Sequence, residues 1–318
     1  MSTLIISTLI TLSSNNWISM WIGLEINMMS FIPLILNKTN KSSSEAAMIY
    51  FLTQSVSSIL MMMMILIMMC KYLIPKTIIN NFIMISIFIK LGAAPFHLWM
   101  PKIMALMEWS KCSILMTWQK IAPLFMISNL NNSLIMNIII IWSVSVGSMG
   151  GLNQTSLRKM MAYSSINHLG WLLAINKSMN MWISYLIIYS IMIITLCYLF
   201  FNYKLNFINQ MSSINMSNVE KTSFFIMMLS MGGLPPFIGF LPKWMTIQSL
   251  IHDQEFMMIL IMIMFSLVTL MFYLRMMTNM YLSFNSSIKW SSTYYNHSTM
   301  MIMMFNLCLP IVMVMDII

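Results

Sequence analysis

Charge is what this chain has least of. Seven Asp and Glu residues face 16 Lys and Arg residues, and Arg occurs only at Arg158 and Arg275. Charged residues make up 7% of 318, against about 25% in soluble domains, so a water-exposed globular fold is excluded. The cysteines Cys70, Cys112, Cys197 and Cys308 lie far apart. Iron–sulfur and zinc sites need clustered thiolates, so these four read as buried small hydrophobes. The 9 glycines form no Walker or dinucleotide fingerprint. Met1 to Leu12 lack a basic or Arg-rich amphipathic pattern, so no cleavable signal or transit peptide is expected.

What is there is apolar. Hydrophobic residues reach 59% and mean hydropathy is +0.83. Runs long enough to cross a bilayer core recur along the whole length. Divided at polar breaks, they fall near 2–14, 17–36, 46–70, 77–98, 111–130, 133–152, 159–176, 180–202, 221–250, 255–283 and 299–316. The expectation is an all-α polytopic membrane protein of about 11 transmembrane helices, one integral membrane domain over 1–318. The first run is short for a span. The ninth is too long for one straight helix and holds Gly232, Gly233, Pro235, Pro236, Gly239 and Pro242.

Loop charges test that count. With alternating loops, one side receives Lys38, Lys41, Lys102, Lys111, Arg158, Lys159, Lys204, Lys221 and Lys289, and the other Lys71, Lys76 and Lys177. This asymmetry follows the positive-inside rule and puts the N-terminus on the matrix side. Methionine, at 44 residues, points to an AT-rich organelle genome that reads AUA as Met. The alternative, a packing preference for this adaptable side chain, gives no logic for the run Met61 to Met64.

Glu25, Lys90, Lys120 and Lys243 stand inside the apolar runs, whereas Arg275, near the end of the tenth, falls close to the positive side. An intramembrane lysine costs roughly 3 kcal/mol on insertion scales and reads by default as part of a charge or proton pathway. Each lysine has a proline nearby, Pro95, Pro123 or Pro242. Proline frees a carbonyl one turn upstream, and such a break survives in a membrane only inside protein or against a watery cavity. Freed carbonyls and trapped water would suit an amine that shuttles protons. The competing reading is a lysine snorkelling from a helix end. A Glu25–Lys90 pair would tune proton release, or serve only as a static packing pair. His97 and His168 are possible relays, though a lone histidine is more often structural; His252 and His297 read as loop residues. Trp17, Trp99, Trp109, Trp182 and Trp290 fit interfacial anchoring. Segment Gly92–Phe96 finds an echo in Gly233–Phe237, as broken helices in the two halves of a transporter do.

Several segments together carry a family resemblance: Trp21-Ile22-Gly23-Leu24-Glu25-Ile26-Asn27, Glu45-Ala46-Ala47 with Tyr50-Phe51-Leu52-Thr53-Gln54, Lys90-Leu91-Gly92-Ala93-Ala94-Pro95-Phe96-His97 and Thr117-Trp118-Gln119-Lys120. Gly150 to Thr155, Leu157-Arg158-Lys159 with Ala162 to Ser165, and Gly232 to Pro236 with Gly239 to Trp244 continue it in order. The set, running from about residue 10 to 290, resembles the chain 2 family of antiporter-like membrane-arm subunits of mitochondrial NADH–ubiquinone oxidoreductase, respiratory complex I. The Met-rich composition looks like its arthropod members.

The resemblance implies an antiporter-like, inverted-repeat fold and a proton channel in the mitochondrial inner membrane. Glu25 and Lys90 would be its carboxylate–lysine pair, Lys120 its central relay and Lys243 its terminal one. NADH, FMN, iron–sulfur clusters and ubiquinone would be handled by partner subunits, with no cofactor bound by this chain. Expected partners are other complex I membrane-arm subunits, sister antiporter-like subunits among them, and phospholipids such as cardiolipin; no nucleic acid is expected. The rival readings are a self-sufficient cation/proton antiporter and a membrane spacer whose buried ions serve only packing.

Overall fold

A computed structural model describes residues 1–36, 40–70, 75–130, 133–176, 179–213, 217–281 and 303–307. Regular structure in these residues is helical, and the helices are α1 Ser2–Ser13, α2 Trp17–Ile35, α3 Lys41–Met69, α4 Lys76–Leu91, α5 Trp99–Leu106, α6 Trp109–Met116, α7 Ile121–Ser128, α8 Ser133–Leu152, α9 Leu157–Ala174, α10 Met179–Asn202, α11 Gln210–Ser213, α12 Asn218–Gly232, α13 Phe240–His252 and α14 Phe256–Tyr281. Five helices are long and apolar enough to cross a membrane alone: 17–35, 41–69, 134–152, 180–202 and 256–280. Their lipid-ready faces show as exposed Leu, Ile and Met, such as Ile59, Met63, Leu260, Met264 and Met271.

Three further apolar stretches are each divided into a pair of half-helices: α4 with α5, α6 with α7, and α12 with α13. Each half runs 8 to 16 residues, about 12–24 Å at 1.5 Å per residue, which is short of a 30 Å core. Two breaks share one geometry. Gly92 (φ 70°) ends α4 and Gly233 (φ 76°) ends α12, both left-handed. At each, the glycine N–H reaches back three residues and the next N–H five, Gly92→Ile89 with Ala93→Phe88 and Gly233→Ser230 with Leu234→Leu229. The echo between the two segments is therefore one turn built twice. The third break is a 3₁₀ turn, Trp118–Lys120, between α6 and α7.

The run read as 77–98 thus stops at Leu91, and α5 follows in residues that read as loop. Lys102 is an exposed residue of α5 rather than of a loop. The 111–130 and 221–250 runs are each two helices. The short first run is helical but, at 12 residues or about 18 Å, does not match the core thickness. It packs on α2 at Gly23, where a Cβ would lie 2.4 Å from Cγ2 of Thr11. The eleventh run lies largely outside the described residues.

α9 is the central post. Fifteen of its residues, including His168, are buried, because α8 presses against it through small side chains. A Cβ on Gly147 would stand 2.5 Å from the Asn167 amide nitrogen, and one on Gly170 2.3 Å from Val144. In apolar surroundings, where lipid is as oily as leucine, such close backbone approach is what holds helices together.

One end of the bundle is tied by basic side chains. Lys111 donates to the carbonyl oxygen of Ile35 (3.2 Å), Arg158 to that of Met107 (2.6 Å), and Arg275 to Leu152 and Gln154. Trp109 donates to Leu205 (2.9 Å) and stacks on Phe200. These cations cap helix C-termini, whose orphan carbonyls want donors. The anchoring reading fails for Trp99, Trp109 and Trp182, which are buried, Trp99 bonding the Ile89 carbonyl just upstream and Trp109 the Leu205 carbonyl across the fold; Trp290 lies outside the described residues. Cys112 and Cys197 are buried as expected, but Cys70 is exposed, and Cys308 lies outside the described residues. His252 closes α13 rather than sitting in a loop, and His297 is outside the described residues.

Candidate functional site

The broken helices deliver their lysines to the interior. Lys90, Lys120 and Lys243 are 7%, 2% and 4% exposed; none of them snorkels. Lys90 occupies the last turn of α4, Lys120 the 3₁₀ turn, and Lys243 the first turn of α13. Each therefore sits where a helix ends inside the bundle and backbone groups lack intrahelical partners.

The source of the free carbonyls differs from the expected one. Pro95 lies in the turn between α4 and α5, and Pro123 and Pro242 each stand third in their half-helix, where a missing N–H costs little. The orphan acceptors come instead from the end of the preceding half. Gln54 Nε2 donates to the carbonyl of Lys90 (3.3 Å), Trp99 Nε1 to that of Ile89 (3.1 Å), and Lys243 Nζ to that of Gly232 (2.6 Å). Lys120 Nζ reaches across to α9, donating to the carbonyl of Ser165 (3.1 Å) and the hydroxyl of Tyr189 (3.4 Å).

These groups form a row. At one end Lys90 Nζ lies 3.7 Å from the Glu25 carboxylate, which keeps 21% of its side chain exposed. Next comes a cavity of about 20 Å³ walled by both Lys90 and Lys120, with Asn27, Tyr50, Gln54 and Gln119 among its lining residues. Beyond Lys120, the Tyr189 ring lies 5.0 Å from Nζ and 4.9 Å from the His168 ring. His168 Nδ1 is 2.9 Å from the Tyr185 hydroxyl, and the imidazole stands against the Met231 carbonyl, within electrostatic range of both Lys120 and Lys243. Lys243 closes the row, its amine 5.6 Å above the Trp171 ring. His97 does not join: it is half-exposed, its Nδ1 is 3.2 Å from the Pro95 carbonyl of its own turn, and its ring faces Tyr163.

Glu25, Lys90, Lys120, His168 and Lys243 are thus brought together, and His97 is not. Sequence reasoning missed the neutral members, Asn27, Tyr50, Gln54, Gln119, Tyr185 and Tyr189. A signal existed for Gln54 and Gln119, polar side chains inside apolar runs. The tyrosines on α10 carried none, since an apolar helix takes tyrosine on any face.

The profile of the family described as NADH:quinone oxidoreductase/Mrp antiporter, transmembrane, matches residues 14–271. The chain belongs to that family. Within the NADH:quinone oxidoreductase/Mrp antiporter family, it is 43% identical to NADH-ubiquinone oxidoreductase chain 2 of Anopheles gambiae, over 95% of this chain and 92% of the relative. It is 40% identical to the same-named protein of Locusta migratoria, over 91% and 86%. Among solved structures, a chain of respiratory complex I from Thermus thermophilus with bound aureothin superposes with a TM-score of 0.84 at 17% identity, covering 98% of this chain and 76% of that one. The two chains thus share one all-helical fold.

Proposed function

We propose that this chain is a core membrane-arm subunit of mitochondrial NADH:ubiquinone oxidoreductase, carrying protons from matrix to intermembrane space along Glu25, Lys90, Lys120, His168 and Lys243. One observation carries this reading: three buried amines, each at an internal helix end, arranged in a row with exchangeable donors and acceptors between them. A packing role is the weaker account. One carboxylate among the described members of the row balances only one of three ammonium charges, and an uncompensated buried charge is costly.

In this reading a proton resides on Lys90 opposite Glu25. It crosses to Lys120 as one N–H bond breaks and another forms through water in the intervening cavity. From Lys120 it passes by way of the Tyr189 hydroxyl and His168 towards Lys243, each acceptor taking a proton as its donor gives one up. The chain carries out no redox step. NADH, FMN, iron–sulfur clusters and ubiquinone belong to partner subunits, and electron transfer there would supply the energy. The subunit sits in the inner membrane as a multi-pass protein, its basic end towards the matrix by the positive-inside rule, where Lys41, Lys204 and Lys221 could meet anionic headgroups such as cardiolipin. Sister antiporter-like subunits are its expected neighbours.

The test is Lys120→Met in the assembled complex, reconstituted in sealed vesicles. Protons moved per NADH oxidised should fall. An unchanged proton yield would remove Lys120 from the path and, with it, the proposal.

A further inference from the structure

Between Lys90 and Lys120 the row is joined by no direct hydrogen bond that links the two amines among the described residues. What lies between them is a cavity and a set of neutral polar side chains. Gln119 is the most constrained of these. Its Nε2 donates to Oδ1 of Asn27 (3.1 Å) on α2, and its Oε1 accepts from the Tyr50 hydroxyl (3.4 Å) on α3. One side chain in the 3₁₀ turn is thus held from two neighbouring helices, while Lys120 beside it points to α9. Gln54, one turn along α3 from Tyr50, holds the carbonyl of Lys90.

The cavity these residues enclose measures about 20 Å³. A water needs about 10–15 Å³ of such space and two to four polar partners. The space therefore takes about one water, and Asn27, Tyr50, Gln54 and Gln119 line it together with Lys90 and Lys120. A carboxamide does not carry a proton at neutral pH, but its fixed N–H and C=O dictate how a neighbouring water turns. Turning that water is what decides whether its lone pair faces the amine that gives the proton and its O–H the amine that receives it.

We propose that Gln119, clamped by Asn27 and Tyr50, is a positioning residue that orients the water through which Lys90 hands its proton to Lys120. The inference rests on the relay read above and deepens it at one step. The clamp makes Gln119 act through geometry rather than titration. Tyr50 contributes by fixing Oε1, Asn27 by fixing Nε2. Loss of the carboxamide leaves the cavity walled but undirected.

The experiment uses the assembled complex in sealed vesicles, comparing Gln119→Leu, Gln119→Glu, Tyr50→Phe and the Tyr50→Phe/Gln119→Leu pair with Lys120→Met. Proton yield per NADH should fall in Gln119→Leu towards the Lys120→Met level. Tyr50→Phe should lower it less, and the pair no further than Gln119→Leu alone, because both act on one water. Gln119→Glu keeps the shape and adds a titratable group, so its yield relative to the native complex should vary with pH, which a merely structural role would not produce. Native yield in Gln119→Leu with a loss in Lys120→Met overturns the role of Gln119 and leaves the relay standing. Native yield in both overturns the relay itself. A variant that fails to assemble is replaced in the comparison by Gln119→Glu, where a pH-independent native yield likewise overturns the inference.

Discussion

The Lys243 amine sits 2.6 Å from the carbonyl oxygen of Gly232, so the first residue-turn of one half-helix caps the last residue of the other. Eleven residues apart in sequence, they meet because Gly233 turns the chain in the left-handed region at φ 76°. The same turn at Gly92 sets Lys90 at the end of α4. A break in a membrane helix and the cation beside it are one device: the break supplies the acceptor, and the cation satisfies it where lipid cannot.

Gly233 is doubly constrained, and its replacement should show this. A left-handed backbone costs a non-glycine residue about 1–2 kcal/mol. A Cβ there would also lie 2.6 Å from Cδ of Lys243 and 2.7 Å from its Nζ. Gly233→Ala should lower the thermal midpoint of the assembled complex and displace Lys243, reducing proton yield in vesicles. Gly232→Ala, whose Cβ would first meet Leu270 at 3.3 Å, is the milder control.

Tyr185 should matter more than its apolar helix suggests. Removing its hydroxyl leaves Nδ1 of the buried His168 without that partner, a loss of about 1–3 kcal/mol for a buried polar group. Tyr185→Phe is expected to lower both thermal stability and proton yield. Tyr198→Phe, exposed on the same helix, should change neither. Equal behaviour of the two variants would dissociate Tyr185 from the row.

The Glu25–Lys90 pair lends itself to a mutant cycle. Lys90→Met strands a carboxylate in apolar surroundings, and Glu25→Gln strands an amine. Breaking a fully buried pair costs about 3–5 kcal/mol, and the partial exposure of Glu25 should hold this one nearer 2 kcal/mol. The double variant Glu25→Gln/Lys90→Met should regain thermal stability over Lys90→Met while remaining impaired in proton transfer. Recovery of transfer along with stability would show the pair to be packing alone.

Much of the architecture was readable from the chain itself. Scarce charge and recurrent apolar runs gave a polytopic helical protein, and the lysines within those runs gave the candidate site. Where the reading slipped, it slipped at the breaks. Apolarity runs on through Gly92 to Leu98, so the end of α4 at Leu91 and the start of α5 at Trp99 leave no trace in hydropathy. Trp99 and Trp109 read as interfacial because tryptophan favours both membrane edges and interior hydrogen bonds; only the placement of Ile89 and Leu205 separates the two. His97 and His168 could not be told apart for the same reason.

What the sequence by itself determined is which groups must be buried: a span that carries Lys90, Lys120 or Lys243 has to turn that side chain away from lipid, since desolvating an amine in hydrocarbon is too costly to leave unanswered. Only the tertiary structure decided what answers each one. A carboxylate does so for Lys90, a mid-helix carbonyl and a tyrosine for Lys120, and a severed helix end for Lys243. These partners come from α2, α9, α10 and α12, and their meeting depends on close packing between helices, which local apolar pattern does not encode.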